Sequence, residues 1–345
     1  MNDLVKKAIQ DATILKKQPD SIPWNPDEPW VQCFYSWHAE SEEWVPLGAS
    51  AARGTGHEPH RGIGALALYS WNIDFMLPCP EARMQAALDH LENLLKESPS
   101  TATTAAVLVL QECTLADLRT IGQQQWIRDG FYITDTDTSD WSSGLYGTTT
   151  LVDRRLEVAS CFRVHYSSTA MQRDALFVDV VIPTAAGSGK TIRVGNTHLE
   201  SLVADPPLRP LQVQTAAKYM HESRLSGALL AGDFNAIQPF DRSLHTDNDL
   251  KDAYLELGGQ EDADEGYTWG QQALAELRLT FGCSRMDKVY FRGDGLRLLT
   301  FERFGTDVEI HKGEKDKRDQ VLSLGFEKPW ITDHLGVKAV FSLTN

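Results

Sequence analysis

The sequence has no C-x-x-C pair, no zinc-type spacing of cysteine and histidine, and no run approaching the ~18 apolar residues of a membrane span. Its five cysteines (Cys33, Cys79, Cys113, Cys161, Cys283) are scattered. They read as reduced thiols in an intracellular protein of the nucleus or cytoplasm, and they leave oxygen as the ligand atom for any metal. Basic residues are also in short supply. Lys and Arg total 33 against 48 Asp and Glu, a net charge of −15, so a generic electrostatic grip on nucleic acid is excluded and any such contact has to be local. The start, Met1-Asn2-Asp3-Leu4, carries acid early and no apolar stretch, so neither a leader nor a membrane partner is expected. No internal repeat is visible. The stretch Thr184 to Thr191 imitates a phosphate loop but has Thr at the first glycine position and runs into a strand, so it reads as a hairpin turn.

What is present is an ordinary globular composition, 42% hydrophobic and 23% charged over 345 residues, enough for one large domain with an extension. The expected division is an N-terminal Trp- and Pro-rich extension, residues 1–61, followed by a catalytic domain, 62–345. In the extension a short amphipathic helix is expected over 3–17. Four prolines between Pro19 and Pro29 then forbid regular helix. Trp24, Trp30, Trp37 and Trp44, four of the nine tryptophans, are expected to bury their rings against the main domain. The histidines His57 and His60 read as surface residues.

From Ala65 onward, short apolar runs repeatedly end on an acid, an amide or a histidine. Ala65 to Leu68 leads to Asn72; Ala105 to Leu110 leads to Gln111-Glu112; Ile192 to Val194 leads to His198 and Ser201. Leu229-Leu230-Ala231 runs into Gly232-Asp233-Phe234-Asn235, where Asp233 can take a proton from water and Asn235 can hold that water. The strand at Arg285 to Phe291 carries Asp287, and Thr332-Asp333-His334 precedes the last strand, Leu335 to Leu343. Amphipathic helices are expected over Glu81–Glu97 and from about Pro210 to Arg224. The mixed-sign run His311 to Asp319 reads as an exposed loop. Strand–helix units in both halves suggest two sheets packed face to face with helices outside. Carboxylates and amides without cysteine form a hard-oxygen set suited to Mg²⁺ or Mn²⁺, and the histidines offer donors to a phosphate. Phosphodiester hydrolysis needs that combination.

The ordered motifs Ser70-Trp71-Asn72-Ile73-Asp74, Leu110-Gln111-Glu112, Thr197-His198-Leu199-Glu200-Ser201, Gly232-Asp233-Phe234-Asn235 and Thr332-Asp333-His334 resemble the endonuclease/exonuclease/phosphatase superfamily. The stretches Met171-Gln172-Arg173-Asp174-Ala175-Leu176, Arg209-x-x-Gln212, Tyr267-Thr268-Trp269 and Arg285 to Phe291 are most similar to the type 2 tyrosyl-DNA phosphodiesterases. The chain departs from those enzymes at Phe234, where a small polar residue is usual, and at Thr332, where Ser is common.

The resemblance implies a four-layered α/β sandwich and a Mg²⁺-dependent phosphodiesterase, with Mn²⁺ as an alternative ion. It implies Glu112 as principal metal ligand, with Asn72 and Asp333 close to the metal or its waters. Asp233, assisted by Asn235, would activate the attacking water. His334, steadied by Asp287, would stabilise the phosphate from one side, and His198 and Ser201 would hold it from the other. Arg173, Trp269 and Phe131 are expected on the substrate side, Trp269 and Phe131 stacking on a single-stranded 5′ DNA end that carries a tyrosyl peptide. A monomer is expected. A relative acting on RNA, an abasic site or a lipid head group, and a catalytically silent binding protein, are the competing expectations.

Overall fold

The computed structural model describes residues 10, 17, 21–48, 62–97, 102–182 and 189–344. Most of the expected helix over 3–17, His57 and His60, and residues 184–188 of the expected hairpin turn lie outside these.

Fifteen strands are described. In chain order they are β1 (Pro29–Val31), β2 (Phe34–His38), β3 (Glu43–Leu47), β4 (Ala65–Asn72), β5 (Thr104–Cys113), β6 (Phe131–Ile133), β7 (Gly147–Asp153) and β8 (Glu157–His165). There follow β9 (Asp174–Ile182), β10 (Lys190–His198), β11 (Gly227–Asp233), β12 (Lys251–Asp252), β13 (Asp287–Arg292), β14 (Leu296–Phe304) and β15 (Gly336–Leu343). They form two mixed sheets, ordered β1-β8-β9-β10-β11-β13-β12 and β14-β15-β4-β5-β7-β6-β2-β3. Only β4–β5 and β10–β11 pair in parallel, and each of these pairs lies inside its sheet.

Strand alternation separates the layers. Leu66 and Leu68 of β4, Val107 and Val109 of β5, Val194 of β10, Leu229 and Ala231 of β11 and Val289 of β13 meet in one apolar cluster between the sheets. The intervening residues Tyr69, Trp71 and Leu110 pack outward with Met84, Leu88 and Leu91 of the helix Pro80–Glu97. On the opposite face, Phe177 and Leu230 pack with Val213 and Ala217 of the helix Arg209–Met220. Helix, sheet, sheet and helix are therefore the four layers, the α/β sandwich expected from the sequence.

The N-terminal segment adds edge strands to both sheets: β1 pairs with β8, and the β2–β3 hairpin joins β6. Its rings are set against the rest of the chain. Trp24 stacks on His165 with centroids 3.9 Å apart, and the indole of Trp44 donates to the Gly122 carbonyl at 3.2 Å. One expectation is corrected. The charged run His311–Asp319 is not all loop, because a helix spans Lys315–Ser323. No glycine or proline interrupts it, and its Val321 is buried against the core.

Candidate active site

The alternation that builds the core also builds the site. Continuing the inward-facing parity past the last apolar residue of each strand gives Ser70 and Asn72 on β4, Asn196 and His198 on β10, Asp233 on β11 and Asp287 on β13. Polar groups thus replace apolar ones at one end of the inter-sheet space. The neighbouring strands are in register there, with His198 opposite Asp233 and Asp233 opposite Asp287.

Sharp backbone turns complete the constellation. Glu112 would by parity face the helices, but a positive φ of 57° and an irregularity in the β5–β7 pairing between Leu110 and Cys113 re-aim it. Its carboxylate accepts from the Phe75 amide at 3.0 Å. Asp74 and Asn235 also have positive φ, 56° and 47°. Gly232 cannot be replaced, since a Cβ there would lie 1.8 Å from the Thr197 carbonyl oxygen at a φ of +149°. That contact explains the Gly of Gly-Asp-x-Asn.

Asp233 is held by three donors, the Asn235 amide nitrogen at 2.8 Å, Asn72 Nδ2 at 3.0 Å and Asn235 Nδ2 at 3.3 Å. Asn72 Oδ1 accepts from the Asp74 amide at 2.9 Å, so both ends of the Asn72 side chain are engaged within the protein. His334 Nδ1 donates to Asp287 Oδ2 at 2.9 Å, leaving Nε2 3.8 Å from Asp233 Oδ2. Burial alone would depress His334, but Asp287, Asp233 and Asp333 outweigh it and raise the imidazole well above its ordinary range. Burial pushes Asp287 up to about 6, against the opposing pull of His334. Near neutral pH the two form an imidazolium–carboxylate pair.

His198 is the opposite case. Burial, with the Arg173 charge beside it, drives it well below its ordinary value. Arg173 Nη1 donates to His198 Nδ1 at 2.6 Å, which places the remaining proton on Nε2. That atom has no hydrogen-bond partner and lies 3.4 Å from Asp233 Oδ2 and 3.6 Å from Glu112 Oε1. Ser201 Oγ accepts from Arg173 Nη2 at 3.0 Å, so Ser201 steadies the arginine. The loop carrying Arg173 is fixed in turn by Glu200, which accepts from Thr169 Oγ1 at 2.8 Å and the Ala170 amide at 3.1 Å.

Most of the residues singled out from sequence therefore converge. Trp269 belongs with them, its indole donating to Asp333 Oδ2 at 2.7 Å. Phe131 does not, and this corrects the expectation. It packs edge-on against Trp126 in the core beneath the helices, because β6 turns that side chain away from the inter-sheet space. Sequence reasoning also passed over Asp74, Phe75 and Tyr146. Asp74 was visible two residues after Asn72. The Phe75–Tyr146 stack, with centroids 4.0 Å apart, had no local signal.

The donor set fits a divalent cation. Burial and the facing carboxylates of Asp333 and Glu112 push Asp74 well above the usual carboxylate range, and burial raises Glu112 as well. Among the described residues, Glu112, His198 and Asp233 bring potential ligand atoms within 4.8 Å of one another, as do Asp233, Asp287 and His334, but the proton on His198 Nε2 and the imidazolium of His334 leave only the carboxylates of these groups free to ligate. A hard cation would relieve the crowding of the acids.

Comparison with known proteins gives the same picture. A sequence model described as the Endonuclease/Exonuclease/phosphatase family matches residues 69–334. No curated relative matches the sequence. Among solved structures, a truncated Caenorhabditis elegans TDP2 superimposes with a TM-score of 0.57 at 20% identity, covering 81% of this chain and 97% of its own. A D. rerio TDP2, complexed with single-strand DNA product, gives 0.58 at 17% identity, covering 81% of this chain and 99% of its own. The human Nocturnin catalytic domain, with bound sulfate, gives 0.53 at 16% identity, covering 81% and 95%.

Proposed function

Because the chain belongs to the endonuclease/exonuclease/phosphatase family, whose members are phosphoester hydrolases, we propose that it is a Mg²⁺-dependent phosphodiesterase that cleaves the 5′-phosphotyrosyl bond of a DNA end. The observation that carries the reading is the opposed pair of buried histidines. One is an imidazolium fixed by Asp287, the other a neutral ring fixed by Arg173, and Asp233 lies between their Nε2 atoms.

A phosphate in that gap would meet His334 Nε2–H on one side and His198 Nε2–H, backed by the Arg173 charge, on the other. Asp233, aligned by Asn235 and Asn72, would accept the proton of the attacking water. Glu112, with Asp74, Asp333 and the waters around them, would hold the cation. When bound, it would neutralise charge on the phosphoryl oxygens. Tyrosinate leaves without a strong general acid, so positioning and charge stabilisation suffice. Phe75, half-buried and stacked on the buried Tyr146, would offer an aromatic face to a single-stranded end, which an acidic protein cannot hold by charge alone, whereas Trp269 is buried and acts through its bond to Asp333.

A second reading is favoured by one observation. Exposed apolar side chains lie close to the site residues: Leu202 and Val203 (38% and 67% exposed) just after Ser201, and Phe281 (51%) against Trp269. Such a rim would suit a lipid phosphoester.

The test is release of a 5′-phosphate oligonucleotide from a 5′-phosphotyrosyl single strand with Mg²⁺. It is run beside the His334→Ala protein, an abasic-site duplex and a phosphoinositide vesicle. Cleavage of the tyrosyl end alone, lost in the variant, supports the proposal. Cleavage of another substrate instead replaces the tyrosyl assignment, and failure on all of them refutes the phosphodiesterase reading.

A further inference from the structure

Arg83 is fully buried in the first turn of the helix Pro80–Glu97, and no carboxylate pairs with it among the described residues. A buried guanidinium without an acid partner is costly and needs another set of acceptors. Here these are four main-chain carbonyls. Nε donates to Pro78 at 2.9 Å and Nη2 to Leu77 at 3.1 Å, while Nη1 donates to both Ile73 at 2.5 Å and Ile331 at 2.7 Å.

The identity of two of those acceptors matters. Ile73 is the peptide between Asn72 and Asp74, and Ile331 lies two residues before Asp333. These two site segments come from positions about 260 residues apart, and a single nitrogen of Arg83 bridges them. Two other side chains tie the same stretches: Thr332 Oγ1 donates to the Asn72 carbonyl at 2.9 Å, and Trp71 Nε1, one residue further out, donates to the His334 carbonyl at 3.1 Å.

We propose that Arg83 is a positioning residue for the metal-binding side of the site. It sets the spacing between the Asn72–Asp74 turn and the Ile331–Asp333 turn, and so the separation of the carboxylates that would share the cation. This rests on the metal-dependent reading above. Lysine cannot substitute. It keeps the charge, but three donors radiating from one atom do not reproduce the planar fork that reaches four carbonyls.

The test compares wild-type protein with Arg83→Lys, and with Arg193→Lys as control. Arg193 is equally buried but pairs with Asp179 and Glu222 on the far side of its sheet. Mn²⁺ binding is measured by calorimetry, and amide hydrogen exchange on the metal-free proteins.

Arg83→Lys is expected to weaken Mn²⁺ binding about 10- to 100-fold. It should also speed exchange together in residues 73–78 and 330–335, and lower kcat more than it raises KM. Arg193→Lys is expected to lose thermal stability with Mn²⁺ affinity unchanged. Equal Mn²⁺ losses in the two variants, or unchanged exchange in either turn of Arg83→Lys, overturn the positioning role. A wild-type protein that binds no Mn²⁺ would refute the metal reading instead, and the exchange data then decide Arg83 alone. If Arg83→Lys does not fold, Thr332→Val is substituted: it cuts the parallel tie and should show the same paired exchange, and its absence refutes the coupling.

Discussion

Replacing Asp287 by Asn changes a charge and almost nothing else. The carboxylate uses Oδ2 to accept from His334 Nδ1 at 2.9 Å, while Oδ1 has no hydrogen-bond partner. The Asn oxygen can take the first position and its amide nitrogen the second, so ring orientation is retained and the counter-charge is removed. In the wild type, the Asp287, Asp233 and Asp333 charges overcome burial and keep His334 protonated well above the ordinary imidazole range. With the nearest of them neutral, burial gains ground and the imidazole falls toward or below its ordinary ~6.5.

A charge-assisted hydrogen bond of this kind contributes about 1.5–3 kcal/mol, so turnover on the cleaved phosphodiester should fall roughly 10- to 150-fold at pH 7. The direct assay is ¹⁵N-detected imidazole NMR of the metal-free protein across pH 5–9. The expected result is an imidazolium at position 334 through pH 8 in the wild type and a neutral ring by about pH 7.5 in Asp287→Asn. A His334 still protonated at pH 8 in the variant would show that Asp287 is not what charges it. Turnover unchanged despite a neutral ring would remove the imidazolium from the mechanism.

Other expectations concern the fold and the site separately. His165, buried under Trp24, is depressed to about 4 by burial, so the unfolded chain binds its proton first as pH falls through ~6.5. Its stabilising contribution is complete above that value and gone near the folded one; about 2 kcal/mol should disappear between pH 7 and 5, read from urea midpoints. His165→Gln should flatten that dependence. Asn196 crosses the inter-sheet space, donating to the Leu110 and Thr149 carbonyls and accepting from Gln111 Nε2, so Asn196→Leu should cost about 3 kcal/mol in urea unfolding, and a loss below about 1 would contradict the bridge. Gly232→Ala should destabilise by at least about 3 kcal/mol or fail to fold, and a soluble variant of wild-type melting temperature would refute the close-approach argument. Glu112→Ala should lose both Mn²⁺ binding and turnover, whereas Asp233→Asn should keep the metal and lose turnover; a working Asp233→Asn enzyme would strip Asp233 of the base role.

Much of this molecule could be read before any coordinates. Apolar strands ending in Asn72, His198 and Asp233 pointed to the candidate site because strand periodicity is local chemistry, and a polar residue that extends an inward-facing apolar row has nowhere to go but the end of the core; Glu112 breaks that parity and reaches the site through the irregular end of β5. The helices Pro80–Glu97 and Arg209–Met220 followed from the spacing of Met84, Leu88 and Leu91 and of Val213, Ala217 and Met220. The run His311–Asp319 misled because charge marks an exposed surface without distinguishing loop from helix. Phe131 misled because an aromatic residue at a strand start carries no sign of which face it will take.

What sequence could not supply are the relations between distant segments. That Arg173 helps keep His198 neutral while Asp287 helps keep His334 protonated depends on which strands the two sheets bring edge to edge. So does Arg83, whose role is invisible until residues 73 and 331 meet at its guanidinium. Residue types and their period set the layers and the kinds of group at the open end of the sandwich. The packing of one sheet on the other decided their pairings, and with them which histidine carries a proton, because burial and neighbouring charge are properties of the assembled fold.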